Sequence, residues 1–93
     1  MPEKNAIKPK LHLATITILV KDRQMHSPEV NRILTESGHL ILARLGVNVQ
    51  RHCIEHCTAM ITVAIEASAK DLNRITKDLD QLYGITAKSL ILV

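Results

Sequence analysis

Aromatic side chains are almost missing from this sequence. Its 93 residues hold no Trp, no Phe and a single tyrosine, Tyr83. Single-stranded nucleic acid would have no rings to stack its bases on, which argues against the modules that bind it that way. A core has to be assembled from Leu, Ile, Val and Ala instead. Glycine is also scarce, at 3 residues, and neither a phosphate-cradling P-loop nor a G-x-G-x-x-G turn occurs. No apolar run approaches the roughly 18 residues needed to cross a bilayer, and no secretory hydrophobic segment is visible near the N-terminus. The expected location is therefore the cytoplasm, without membrane contact. There the two cysteines, Cys53 and Cys57, are expected as thiols, and a disulfide between them is disfavoured.

What is present is a globular balance. Hydrophobic residues make up 46% and charged residues 23%, enough apolar surface for one packed core and too little charge for a disordered chain. The net charge is only +3, and Lys4, Lys8 and Lys10 supply much of it. Residues 1–10, with Pro2 and Pro9, read as a disordered basic leader, and residues 11–93 as a single domain. A short lysine-bearing stub is ordinarily solvated, so no specific DNA binding is expected from the isolated chain.

Periodicity supplies the elements. "LHLATITILV" (11–20) alternates Ala14, Ile16, Ile18 and Val20 against Leu13, Thr15, Thr17 and Leu19, a strand. Ser27 followed by Pro28 reads as an N-cap and first helical position. Val30, Ile33, Leu34 and Ser37 then keep helical spacing, and Gly38 suits a left-handed C-terminal cap. "HLILARLGV" (39–47) is a second strand, and "TAMITVAIEA" (58–67) a third with Ile61, Val63 and Ile65 inward. Ser68 and Asp71 form a capping box for a helix whose stripe is Leu72, Ile75, Leu79 and Leu82, ended by Gly84. "ITAKSLILV" (85–93) is the last strand.

The order βαββαβ with right-handed crossovers predicts an α+β, ferredoxin-like fold. Its four-stranded antiparallel sheet would carry two helices on one face. Two helix stripes cannot cover both faces of such a sheet. The second face carries Leu11, Leu13, Leu19, Met60 and Ala64 among threonines, so it is expected to join copies of the chain into a homo-oligomer.

The densest chemistry is "RHCIEHC" (51–57), where His52, Cys53, His56 and Cys57 are candidate ligands for zinc, nickel, copper or iron. Conformation decides the matter. On an extended strand, positions four apart lie ~13 Å from each other, beyond a shared coordination shell. Coiled as a helical turn, His52 with His56 and Cys53 with Cys57 become neighbours. The spacing matches no standard zinc signature, and an incidental ligand-rich loop is the rival reading. Cys53 beside a histidine lacks an oxyanion-forming glycine run, so the chain is not expected to be an enzyme.

"ATITILVKDR", "EVNRILTESGHLILARLGV" and, within it, Arg44–Val47 resemble the iron-only hydrogenase system regulators, a family also described as candidate transcriptional regulators. Their domain is similar to ACT domains and to the ligand-binding domain of the nickel-responsive repressor. The resemblance covers roughly residues 11–92. It implies a cytoplasmic regulatory module, ligand- or metal-sensing, that passes its state to a partner protein. It also implies a small-ligand site at "KDRQMHSP", with Asp22, Arg23 and Arg44 as candidate ligand-binding residues. The glycine common in amino-acid-binding relatives is absent there, and Gln24 and Met25 stand in its place. Two alternatives accompany this reading: a metallochaperone or maturation accessory, and an amino-acid-binding ACT-type module.

Overall fold

The computed structural model describes residues 9–50 and 52–93. Most of the expected leader, and Arg51, lie outside the described residues. The elements are β1 (Leu11–Val20), α1 (Arg23–Glu36), a 3-10 turn (Gly38–Leu40), β2 (Ile41–Asn48), β3 (Ala59–Ser68), α2 (Ala69–Asp80) and β4 (Ile85–Ile91). The four strands form one antiparallel sheet in the order β2-β3-β1-β4. This is the ferredoxin-like arrangement anticipated from the βαββαβ order.

β1 and β3 lie at the centre because each has a complete inward face. Ile16, Ile18 and Val20 from β1, and Val63 and Ile65 from β3, are buried against Val30, Ile33 and Leu34 of α1 and Leu72, Ile75 and Leu79 of α2. Each such side chain contributes about 1.5–3 kcal/mol by leaving water. That gain fixes the register, since a one-residue slip would expose the whole set. α2 starts as the sequence indicates, with the Asp71 N–H donating to Ser68 Oγ at 3.1 Å. After α2, Gly84 adopts φ 76, and a Cβ there would sit 2.8 Å from Cδ2 of His26. Only glycine fits that turn.

α1 departs from expectation at both ends. It begins at Arg23 rather than Pro28, so Ser27 is helical and Pro28 lies inside the helix. Its N-cap is Asp22, in the left-handed region at φ 50, with no side-chain cap. The early start is held by other groups. Met25 and His26 donate their N–H to the Asp22 carbonyl, and Arg23 donates its own to the carbonyl of Cys57 at 2.8 Å. The far end needs no left-handed glycine either. Ser37, buried, donates to the carbonyls of Ile33 and Leu34, and the 3-10 turn leads directly into β2.

β2 is an edge strand with an irregularity between Ile41 and Ala43. Ile41 pairs with Ile65 on the helix side, while Ala43, Leu45 and Val47 face outward opposite Ala64, Thr62 and Met60. Arg44, Gly46 and Asn48 consequently point toward α1. The outward face is the apolar one anticipated. Leu11, Leu13, Leu45, Met60 and Leu90 are all exposed on it. Glu66 and Lys88 are the charged residues on this face, one of each sign. Among the described residues, no helix is long and apolar enough to cross a membrane.

Candidate functional site

Chemistry-bearing groups gather at one end of the sheet, where the β1–α1 junction meets the β2–β3 connection. Asp22 tolerates its left-handed backbone because a short polar side chain pays little steric penalty there. Its Oδ2 lies 2.7 Å from Nδ1 of His56. That hydrogen bond is the main reason the Asp22 carboxyl is held below the usual carboxylate range. The positive charge of the same ring and the Met25 N–H add to it, against an opposing desolvation.

Arg23 projects from the first turn of α1 and donates through Nη1 to Oδ1 of Asn48 on β2. Arg44, across the gap on β2, donates from Nη2 to Oδ1 of Asn31 on α1 at 2.8 Å. Both arginines line one groove of about 360 Å³ between α1 and β2, together with Ser27 and Gly46. Gly46 lies on its floor, where a Cβ would meet Cγ1 of Ile61 at 3.9 Å, an ordinary contact. Among the described residues, no carboxylate lies within ion-pairing distance of Arg23 or Arg44. Their hydrogen bonds go to neutral amide oxygens, which do not offset their charge.

Residues 52–57 of the cluster take neither of the two expected forms. The connection leaves β2 through a hydrogen bond from Val49 N–H to the Thr58 carbonyl. It then turns through His56 in the left-handed region at φ 53. That turn brings the Cα atoms of Cys53 and Cys57 to 5.6 Å, and the two cysteines form a disulfide. The separation lies inside the usual disulfide range. The expectation of free thiols is thereby corrected. Close approach overrides the compartment argument, because proximity makes the bond whenever an oxidant is available. As it stands the loop does not present His52, Cys53, His56 and Cys57 as one ligand set. The described residues contain no group of three or more His, Cys, Asp or Glu side chains placed to hold an ion. His52 is exposed, and His56 is turned toward Asp22.

Of the three ligand-binding candidates, Arg23 and Arg44 are thus brought together and Asp22 is directed elsewhere, to His56. Asn31 and Asn48 were not singled out by sequence. Asn31 falls within the family-like stretch EVNRIL without a role assigned to it, Asn48 falls outside it, and only the packing of α1 beside β2 makes them partners of the arginines. A second cleft, of about 580 Å³, opens on the other side of the junction between Lys21, His26 and Gly84. Tyr83 stands at it, edge-on to His26 with ring centroids 5.7 Å apart.

Residues 12–89 match the TM1266-like family, described as candidate iron-only hydrogenase system regulators. The chain belongs to this family. The TM1266-like architecture is also seen directly, in the solved structure of the uncharacterized protein TM1266 from Thermotoga maritima. That protein is 24% identical, with a TM-score of 0.81 over 90% of this chain and 100% of its own. A protein of unknown function from Galdieria sulphuraria shares 10% identity, with a TM-score of 0.69 over 98% of this chain and 55% of its own. CPII from Thiomonas intermedia, a nitrogen regulatory PII-like protein solved with ADP, AMP and bicarbonate, shares 12% identity. Its TM-score is 0.55, over 90% of this chain and 97% of its own. No curated protein gives a significant match.

Proposed function

We propose that this chain is a regulatory module that binds a small carboxylate- or phosphate-bearing metabolite in the groove between α1 and β2. The observation that carries the reading is the pair of arginines, Arg23 and Arg44, which line one groove from different elements with no carboxylate among the described residues in ion-pairing distance. Arginine presents planar, always-charged donor forks that match carboxylate and phosphate oxygens. Two charge-assisted contacts offset part of the cost of immobilising a small ligand, so binding weak enough to follow a changing metabolite level is expected. Membership of a regulator family supports the role. So does the fold shared with a PII-like protein that holds anionic nucleotides and bicarbonate.

An amino acid fits less well. Its ammonium group needs an acidic partner, and Asp22, the acid at the junction, is committed to His56. The module acts as a homo-oligomer joined through its open sheet face. That face is apolar and carries Glu66 and Lys88, so two copies meet without net repulsion. Its output passes to a partner protein.

Calorimetric titration with phosphate, bicarbonate, nucleoside monophosphates and dicarboxylates, each against an ionic-strength-matched chloride control, tests the site. One saturable anion per chain is expected, lost in Arg23→Ala and in Arg44→Ala while both variants melt as the wild type does. Equal uptake by wild type and both variants would show that the groove is not the site. For assembly, sedimentation of Leu13→Glu is expected to give a lighter species than the wild type, with the protomer still folded. A wild type that sediments as a ~10 kDa monomer would remove the oligomer from the reading.

A further inference from the structure

The β2–β3 connection holds a second arrangement that the anion groove does not use. In sequence His56 stands between the two cysteines of the disulfide, and its Nδ1 is 2.7 Å from Oδ2 of Asp22. An ionised carboxylate can only accept, so in the neutral ring Nδ1 carries the proton and the lone pair is left on Nε2. Nε2 lies 4.0 Å from Oε2 of Glu55, beyond hydrogen bonding, on a side chain that is 76% exposed. This is how a metal-binding imidazole is held. One nitrogen is pinned by a carboxylate, which fixes tautomer and ring orientation, and the other faces outward. The cysteines complete the picture. A tetrahedral ion with metal–sulfur bonds of about 2.3 Å keeps two sulfurs roughly 3.8 Å apart, a span compatible with Cα atoms 5.6 Å apart.

We infer that the reduced form of this loop is a site for a divalent cation of the zinc, cobalt or ferrous class, bound by the thiolates of Cys53 and Cys57 and by Nε2 of His56, and that the disulfide is its closed, metal-free state. The interconversion balances. A small dithiol passes two electrons and two protons to the disulfide, giving two cysteine thiols and its own cyclic disulfide. The metal ion then displaces both thiol protons and takes the His56 lone pair, and water fills the fourth position. His52, exposed and on the far side of Cys53 from His56 in sequence, is not a ligand. The inference goes beyond the anion-binding proposal and stands independently of it.

The test is a cobalt titration of protein reduced with a phosphine and freed of chelator, followed by the near-ultraviolet thiolate-to-cobalt charge-transfer band and by native mass. The reduced wild type is expected to take one ion per chain with the band. The oxidised protein and the Cys53→Ser, Cys57→Ser double variant are expected to show none. His56→Ala should weaken binding at least tenfold, Asp22→Asn by about 10–100-fold through loss of the orienting carboxylate, and His52→Ala by less than threefold. Because Cys57 is itself buried, thermal melts of each variant accompany the titration, and a loss counts only where the variant melts as the wild type does. Equal, band-free uptake by reduced wild type and double-cysteine variant would overturn the site. A His52→Ala loss equal to that of His56→Ala would overturn the ligand assignment.

Discussion

The two strand-to-helix junctions are copies in topology and opposites in construction. At β3–α2, the chain caps itself: Ser68 accepts the Asp71 N–H, Asp71 adds a favourable charge to the first turn, and the helix begins with nothing borrowed. At β1–α1 there is no side-chain cap. The N–H of Arg23 goes instead to the carbonyl of Cys57, and Asp22 is tied to His56, both far away in sequence. One junction is local and closed, and the other is completed by a loop some 34 residues downstream. The difference explains where function can sit. A self-sufficient cap leaves no group free to respond to a ligand, whereas a borrowed one couples the helix start to whatever the distant loop does.

The largest effect that sharpens this contrast comes from the buried stripe of the closed half. Ile75→Ala should cost about 2–5 kcal/mol in urea unfolding. Met25→Ala, on the exposed first turn of α1, should change stability by less than about 0.5 kcal/mol. Similar costs for both would mean that the first turn of α1 is packed as firmly as α2. Next in size is Gly84→Ala, which puts a Cβ into a positive-φ turn and against the His26 ring. A loss above about 1 kcal/mol is expected by thermal melting, and a neutral outcome would show that the turn can relax.

The caps themselves give a finer measurement. Ser68→Ala should cost about 1 kcal/mol. Ser27→Ala should cost almost nothing, because Ser27 is a helical residue here and caps nothing. If the two serine variants lose equal stability, α1 starts at Pro28 in solution and the contrast fails. The smallest effect is acid dependence. The lowered pKa of Asp22 means that its contribution is complete above the ordinary carboxylate value and is lost as pH falls through the lower folded value. In the disulfide form, Asp22→Asn should flatten that acid limb of a pH series of urea melts, and an unchanged limb would assign it to another carboxylate.

These junctions also mark how far local reading reaches. β1, β3 and α2 were legible because their signals are local: strict alternation about Ile16 and Val63, and a serine three residues before an aspartate. The buried stripe of α1, from Val30 to Ser37, was legible for the same reason. The start of α1 was not, since Ser27 and Pro28 form a persuasive local signal while the stabilising partner, the Cys57 carbonyl, is a tertiary contact. In β2, plain alternation would put Ile41 on the same face as Ala43 and Leu45, which is not what the structure shows. Its irregularity after Ile41 moves Ala43 and Leu45 to the outward face, and no residue type announces it. At the site, Arg23 and Arg44 could be named from their chemistry, but Asn31 and Asn48 become their partners only through packing. For the cysteine loop both regular conformations were the wrong choice. A single left-handed residue, His56, makes the turn that joins Cys53 to Cys57.

Pro28 gives α1 a mechanical property. A proline has no N–H, so the carbonyl of Gln24 lacks its partner one turn on, and the helix is weakest between its first turn and the rest. Residues 28–36 are clamped to the sheet by Val30, Ile33 and Leu34. Residues 23–27 are held mainly by the junction and by the loop carbonyl. The two parts of the helix are therefore held by different contacts. Amide exchange along α1 should accordingly show not a smooth gradient of fraying but a step at residue 28, fast before it and slow after it.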